Sequence, residues 1–319
     1  MNIKKYLAIA LAGLLTAGCS KEIPDGSRKV EVQIRVVSQN TTTRAMGDPG
    51  DDSGEDLEWD KLVVIFGGTG DEGIVKKFLS YDEYMALNPV NEANPNVKML
   101  PMVVPVGKYR IYGVAYMEKE HSALHTLLNS ATKTDDFEHH AIENNPSTAD
   151  KAYFLTLAAD VTPTEEGEYI EVGGEEQRSA HLEVNRLAAK IDVQWDAQDA
   201  YENGFTNVRV PDFSFTGPAK GYLFPALNTE AVGAAEPIKF VNTSPISQRN
   251  GRQYHYTFLD GVSKPSFSFS ISANKDQQSV SGNYTFTFNQ TLQRQSWYKI
   301  NVTIKSVKDG NHTIDPNNP

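Results

Sequence analysis

One cysteine, Cys19, occurs in 319 residues. That count excludes an internal disulfide and any zinc site built from several thiolates. Positive charge is also scarce: 30 Lys and Arg stand against 41 Asp and Glu, a formal net charge of -11. Nucleic acid is therefore disfavoured as a partner, because that binding rests on Lys and Arg neutralising phosphates. An anionic membrane surface offers such a chain nothing either. The deficit is uneven. Residues 1–44 hold seven basic and three acidic side chains, a net of +4, which leaves -15 by difference for residues 45–319. There is no G-x-S-x-G, so no nucleophile elbow, and no G-x-x-x-x-G-K-[ST] among the glycines of 67–74. No sequence repeat of fixed period is present. What remains is ordinary globular material, 39% hydrophobic and 22% charged, which argues against wholesale disorder.

The N-terminus carries an export signal. Met1 to Lys5 is a basic n-region, and Tyr6 to Thr16 is an apolar run too short to span a bilayer as a mature helix. It closes on Leu14-Leu15-Thr16-Ala17-Gly18-Cys19. Small residues before a cysteine resemble the lipobox of bacterial lipoproteins, with Thr16 where that motif usually has Leu. In such proteins the cysteine is diacylated and becomes the new N-terminus. Each buried methylene contributes roughly 0.8 kcal/mol, so two chains or more hold a protein on a membrane. Cys19 is thus the expected lipidation site, and the lipid the expected contact with the outer membrane.

Beyond it, Val30 to Val36 reads V-E-V-Q-I-R-V, apolar at Val30, Val32, Ile34 and Val36. That period of two predicts a strand with one buried face. A polar run, Ser38 to Arg44, and an acidic stretch, Ala45 to Glu58, follow. The acidic spacing does not fit an EF-hand loop and reads as a solvated linker.

The rest of the chain is strand after strand. Leu57–Phe66, two strands around Gly107 within Val103–Met117, Tyr153–Val161 and Tyr169–Val172 make up the first half. Lys76–Leu87 fits a short helix or a strand with a turn, and Lys119–Asn129 has helical spacing. The polar break Gly173–Arg178 is the expected domain boundary. In His181–Trp195 the alternation changes phase near Arg186, which predicts a bulge or a crossing between sheets. Further strands are expected at Val208–Phe215, Tyr254–Leu259, Ser266–Ser272, Tyr284–Phe288 and Trp297–Val307. The fold class is therefore all-β, built of β-sandwiches with short helical insertions. Alternating phenylalanines such as Phe267, Phe269 and Phe286 read as core rather than a sugar-stacking surface. His121 and His125 are four apart, but no Glu follows His121, so H-E-x-x-H fails and a polar helix face is expected. No metal, cofactor or catalytic group is expected, although a distant carboxylate pair would leave no sequence signal.

Three features together point to a family: the lipobox at Cys19, T-T-T-R-A at Thr41–Ala45, and N-R-L-A-A-K-I-D-V at Asn185–Val193. The chain resembles a Bacteroidales fimbrillin, a type V pilus subunit. Gly107–Tyr116 and Trp297–Ile304 also resemble segments of that family. The resemblance implies two tandem transthyretin-like domains: signal peptide 1–18, propeptide 19–44, and sandwiches at 45–177 and 178–319. It implies cleavage by a trypsin-like protease between Arg44 and Ala45, loss of the strand carrying Val30, Val32, Ile34 and Val36, and strand exchange with other pilus subunits. A host or bacterial surface ligand is the further partner implied. The tail Lys308–Pro319 is polar, a poor donor strand, which fits a tip subunit; if Trp297–Val307 is itself the donor, a stalk role returns. The remaining alternatives are an uncleaved surface lipoprotein or pilus anchor that binds a glycan or protein, and a lipid-anchored hydrolase.

Overall fold

The computed structural model describes residues 28–38, 59–69, 73–93, 95–144, 151–164, 167–173, 180–210, 212–228, 230, 232, 235–241, 249–260 and 262–313. The first strand, β1 (Lys29–Ser38), is followed by β2 (Lys61–Gly68) and β3 (Ile74–Ser80). Strand β3 runs into a single helical turn, α1 (Tyr81–Met85). Ser80 caps it: its hydroxyl accepts from the Glu83 N–H, and the Glu83 carboxylate accepts from the Ser80 N–H. Both readings of Lys76–Leu87 therefore hold, in succession.

Strands β4 (Val97–Pro105) and β5 (Gly107–Tyr116) lie either side of Val106. They do not pair with each other. Strand β4 joins β1, whereas β5 joins β2, so Gly107 marks a crossing between layers and not a hairpin. Then come α2 (Ser122–Ser130), β6 (Ala141–Glu143), α3 (Lys151–Leu155), β7 (Leu157–Thr162), β8 (Ile170–Val172) and β9 (Ala180–Val184). The first third of the expected strand Tyr153–Val161 is thus helix. Its apolar run hides a turn that the Thr156 hydroxyl and N–H close on the Ala152 carbonyl, at 2.6 and 3.1 Å.

Two sheets make the first sandwich. One is β4-β1-β9; the other is β3-β2-β5-β7, with β8 also on β5. Between them pack Val32, Ile34 and Val36 from β1, Leu100 and Met102 from β4, and Leu62, Val64 and Phe66 from β2. The far face of the second sheet is covered as well, by Leu124, Phe137, Phe154 and Phe224. Burial on both faces is why Leu62–Phe66 is apolar at every position and shows no alternation.

The second half holds β10 (Ala188–Asp196), α4 (Gln198–Glu202), β11 (Thr206–Arg209), β12 (Asp212–Pro218), β13 (Lys220–Tyr222), β14 (Ala235–Val241) and β15 (Asn250–Phe258). Strands β16 (Ser266–Lys275), β17 (Gln278–Thr287), β18 (Trp297–Thr303) and β19 (Gly310–Thr313) follow. A three-stranded sheet, β15-β10-β18, faces a six-stranded one, β14-β12-β16-β17-β19 with β11 on β16. Ile191, Val193, Trp195, Phe215, Phe267 and Phe269 fill the space between, so the described phenylalanines are core. Asp276 and Gln277 link β16 to β17 with φ of 51° and 66°, the left-handed pair that matches a two-residue hairpin to strand twist.

The phase change near Arg186 is a crossing between sheets. Strand β9 ends at Val184 in the first sandwich, and β10 begins at Ala188 in the second. The expected boundary at 177/178 falls ahead of β9, which nevertheless pairs with β1. A division at Asn185–Leu187 keeps β9 with β1 and leaves, among the described strands, the β6–β13 pair across it. That crossing is tied down on both sides. The Ala159 N–H donates to the Asn185 carbonyl at 2.9 Å, and Asp160 accepts from Asn185 and Arg294, both at 2.8 Å. Strands β6 and β13 form a second bridge. Beside it Asn144, 2% exposed, donates to the Pro218 and Phe258 carbonyls at 2.8 and 2.7 Å and accepts from the Phe258 N–H.

Candidate functional site: the seat of the N-terminal strand

The alternation of β1 is realised as expected. Val32, Ile34 and Val36 are 3%, 0% and 0% exposed and Val30 is half-buried, while Glu31, Gln33 and Arg35 face solvent. Strand β1 is the middle of its sheet. It runs antiparallel to β4 from Lys29↔Pro105 to Val37↔Val97, and parallel to β9 from Ile34↔Ala180 to Ser38↔Val184. The Val106 N–H extends the first ladder to the Arg28 carbonyl at 2.8 Å.

In register, Ile34 lies between Leu100 and Ala180, and Val36 between Lys98 and Leu182. Lys98 is 5% exposed, and its ammonium donates to the Met85 carbonyl at 3.1 Å. The end of the seat is closed by Tyr84. Its hydroxyl donates to the Asn96 carbonyl at 2.8 Å and lies 3.2 Å from that of Val36. Trp59 packs edge-on against Tyr84 at 5.4 Å. On the β9 side the sheets approach closely: a Cβ on Gly113 would come within 2.7 Å of Leu182.

Burying a Val or Ile side chain is worth about 1.5–3 kcal/mol, so the three fully buried residues contribute roughly 5–9 kcal/mol. Ladder hydrogen bonds add about 1 kcal/mol each, net. If β1 left, two edges would open at once, with unmatched N–H and C=O groups on β4 and β9 and an apolar slot between them.

The sequence-predicted residues fall as follows. Val30, Val32, Ile34 and Val36 share the inner face of β1. Cys19, Arg44 and Ala45 lie outside the described residues, as does the acidic stretch before Leu57. Sequence reasoning placed β9 in the other half and so missed β1's second neighbour; the alternation of Ala180, Leu182 and Val184 signals a strand but not its partner. It also missed Tyr84, β14 and β19. The expected strand Trp297–Val307 ends at Thr303, and Ile304 and Val307 turn into the second core. The tail beyond it is not featureless: Gly310–Thr313 pairs in parallel with Gly282–Thr285 of β17.

The histidine pair divides. His121 is buried against Tyr153, and burial lowers its pKa to about 4, so the ring is neutral near pH 7. His125 Nδ1 meets the Tyr116 hydroxyl at 2.8 Å, with Glu118 at 3.6 Å from Nε2. Burial raises the pKa of Tyr116, so its hydroxyl keeps its proton near pH 7. Among the described residues no group of three or more His, Cys, Asp and Glu is placed to hold a metal ion.

The described chain thus holds two β-sandwiches, with β1 as the central strand of a three-stranded sheet, antiparallel to β4 and parallel to β9. The sequence matches no protein-family model, and no curated protein matches it significantly. Among solved structures, the fold is that of a candidate cell adhesion protein from Bacteroides eggerthii, with a TM-score of 0.51 and 13% identity over 86% of each chain. Looser likenesses are to a fimbrial assembly protein from Parabacteroides distasonis and to the C-terminally truncated tip fimbrial protein Mfa3 from Porphyromonas gingivalis. The first has a TM-score of 0.43 and 13% identity over 86% of this chain and 92% of that one. The second has 0.42 and 9% over 81% and 82%. The structural neighbours are thus fimbrial proteins and candidate adhesins of Bacteroidales.

Proposed function

We propose that this chain is a subunit of a surface fimbrium whose N-terminal strand is exchanged during assembly. In this reading Cys19 is acylated after export to the outer membrane. A trypsin-like protease then cuts between Arg44 and Ala45, and Val30, Val32, Ile34 and Val36 leave with β1. The observation that carries the reading is the seat of β1. It is a middle strand, yet its only covalent link to the rest of the chain on its C-terminal side is the segment that contains Arg44. Once that link is cut, ladders and buried side chains alone hold β1 in place. The vacated slot needs both backbone partners and apolar cover, and a strand from a neighbouring subunit supplies both. A role in cell adhesion, like that suggested for the Bacteroides eggerthii protein, fits such a surface subunit. A tip position is favoured, because β19 commits part of the polar tail to this chain's own sheet.

Trypsin under native conditions tests the reading. A single early cut after Arg44 is expected, with Lys29 and Arg35 spared because their backbone is paired in β1. First cleavage at Arg35, or digestion without a stable core, would sink it. The second reading, an uncleaved anchored lipoprotein or pilus anchor, is favoured by the same fully buried Ile34 and Val36. If those residues are permanent core, the cut chain unfolds.

A further inference from the structure

We propose that the outer face of the six-stranded sheet binds a neutral, hydroxyl-rich polysaccharide. The feature is visible in β16, where Ser266-Phe-Ser-Phe-Ser-Ile-Ser272 alternates without a charge. Phe267, Phe269 and Ile271 fill the core, and the serines stand half-exposed on the other side. The neighbouring strands match them in register. One row runs Ser214, Ser268, Thr285, Thr313 across β12, β16, β17 and β19. The next runs Ser270, Asn283, Asn311. The side chains are already engaged with one another. The Ser268 and Thr285 hydroxyls lie 2.7 Å apart, Ser270 donates to Asn283 Oδ1 at 2.8 Å, and Asn283 donates to Asn311 Oδ1 at 3.1 Å.

Exposed sheet faces are normally kept soluble by long charged side chains. Here the described charged residues stand at its margin: Arg209 lies on β11 opposite Ser272, and the Asp309 carboxylate, just ahead of β19, accepts from the Ser281 N–H at 2.7 Å. The centre carries only short, uncharged side chains. Strand spacing makes four strands by five residues roughly 14 Å on each side, room for several sugar rings lying flat. Each hydroxyl and amide both donates and accepts, so the matching surface must do the same at high density. The charge balance selects among partners. A second copy brings another -11, and an anionic polymer meets the same repulsion, whereas a neutral glycan meets none. An added peptide strand would seek a sheet edge, not a face. Because the rows are mutually bonded, little rotamer freedom is lost on binding.

The test uses the full, uncut chain, so it does not depend on cleavage or strand exchange. It is run through native gels containing dextran, mannan or laminarin, with a heparin gel for comparison. Retardation by at least one neutral polymer is expected, with none in heparin. Ser268→Glu and the isosteric Asn283→Asp, each checked for an unchanged thermal transition, are expected to weaken the apparent affinity at least tenfold. If Ser268→Glu does not fold, Asn283→Asp decides. No retardation by any of the three neutral polymers, equal retardation of the charged variant, or retardation in heparin overturns the proposal.

Discussion

The substitution Ile34→Ala is the sharpest probe of the strand seat. Ile34 is 0% exposed at the centre of β1, between Leu100 and Ala180 in the two ladders. The change removes three buried carbons, worth about 0.8 kcal/mol each, and the cavity left behind raises the total to roughly 3–4 kcal/mol. Urea denaturation of the uncut chain is expected to show that loss as a lower midpoint with little change in slope. The same free energy acts on the strand once Arg44 is cut, because ladders and packing alone then retain it. A loss of about 3 kcal/mol speeds release of the cleaved peptide by roughly two orders of magnitude. Once β1 has gone, the variant and the parent are the same molecule, and their stabilities must coincide. Glu31→Ala, on the solvent face, serves as control and should stay within about 0.5 kcal/mol. An Ile34→Ala loss no greater than the control's would refute the claim that β1 is seated by its apolar face.

Two further outcomes follow from buried polar groups. Asn144→Leu removes three hydrogen bonds beside the β6–β13 bridge and strands two carbonyls and an N–H, at a cost of about 2–4 kcal/mol; calorimetry is expected to split one unfolding transition into two, and a single unshifted transition would contradict the bridging role. Burial lowers the pKa of His121 to about 4 from an ordinary 6.5, and that of His140 is lowered too, by burial and then by Lys220. The unfolded chain therefore binds the proton first, so stability is full above pH 6.5 and falls as pH drops toward 4. For His121 the loss is on the order of 3 kcal/mol. His121→Gln should flatten that acid limb in urea titrations, and an unchanged slope would show that the ring is not the group responsible.

The strand β1 was legible because one face is buried and the other is wet, which is the condition for alternation. The same condition gave β9 and β16, whereas β10 alternates in sequence although Lys190 and Asp192 are buried as well. Strands covered on both faces, such as β2, were found by their apolar density instead. Pairing was not legible. Nothing in Ala180–Val184 says that its neighbour is a strand some 150 residues earlier, and a parallel ladder leaves no turn signal to read. The two strands around Gly107 were found, but a turn-like residue cannot reveal whether the chain folds back or crosses to the opposite sheet. Tyr153–Leu155 misled because a single helical turn packed on aromatic neighbours has the composition of a strand. Strand β19 was missed because only Thr313 in Gly-Asn-His-Thr favours a strand; its register to β17, the Asn283–Asn311 bond and the Tyr284–His312 stack at 5.0 Å place it there.

The central claim is that β1 is a replaceable strand and not permanent core. Amide hydrogen exchange on β4 and β9 measures this directly, before cleavage, after cleavage and removal of β1, and after addition of a synthetic 29–38 peptide. The account predicts strong protection, then rapid exchange confined to the two strands that flank the slot, then recovery of protection with added peptide. Loss of protection throughout the first sandwich on cleavage, with no recovery when the peptide is added, would contradict it.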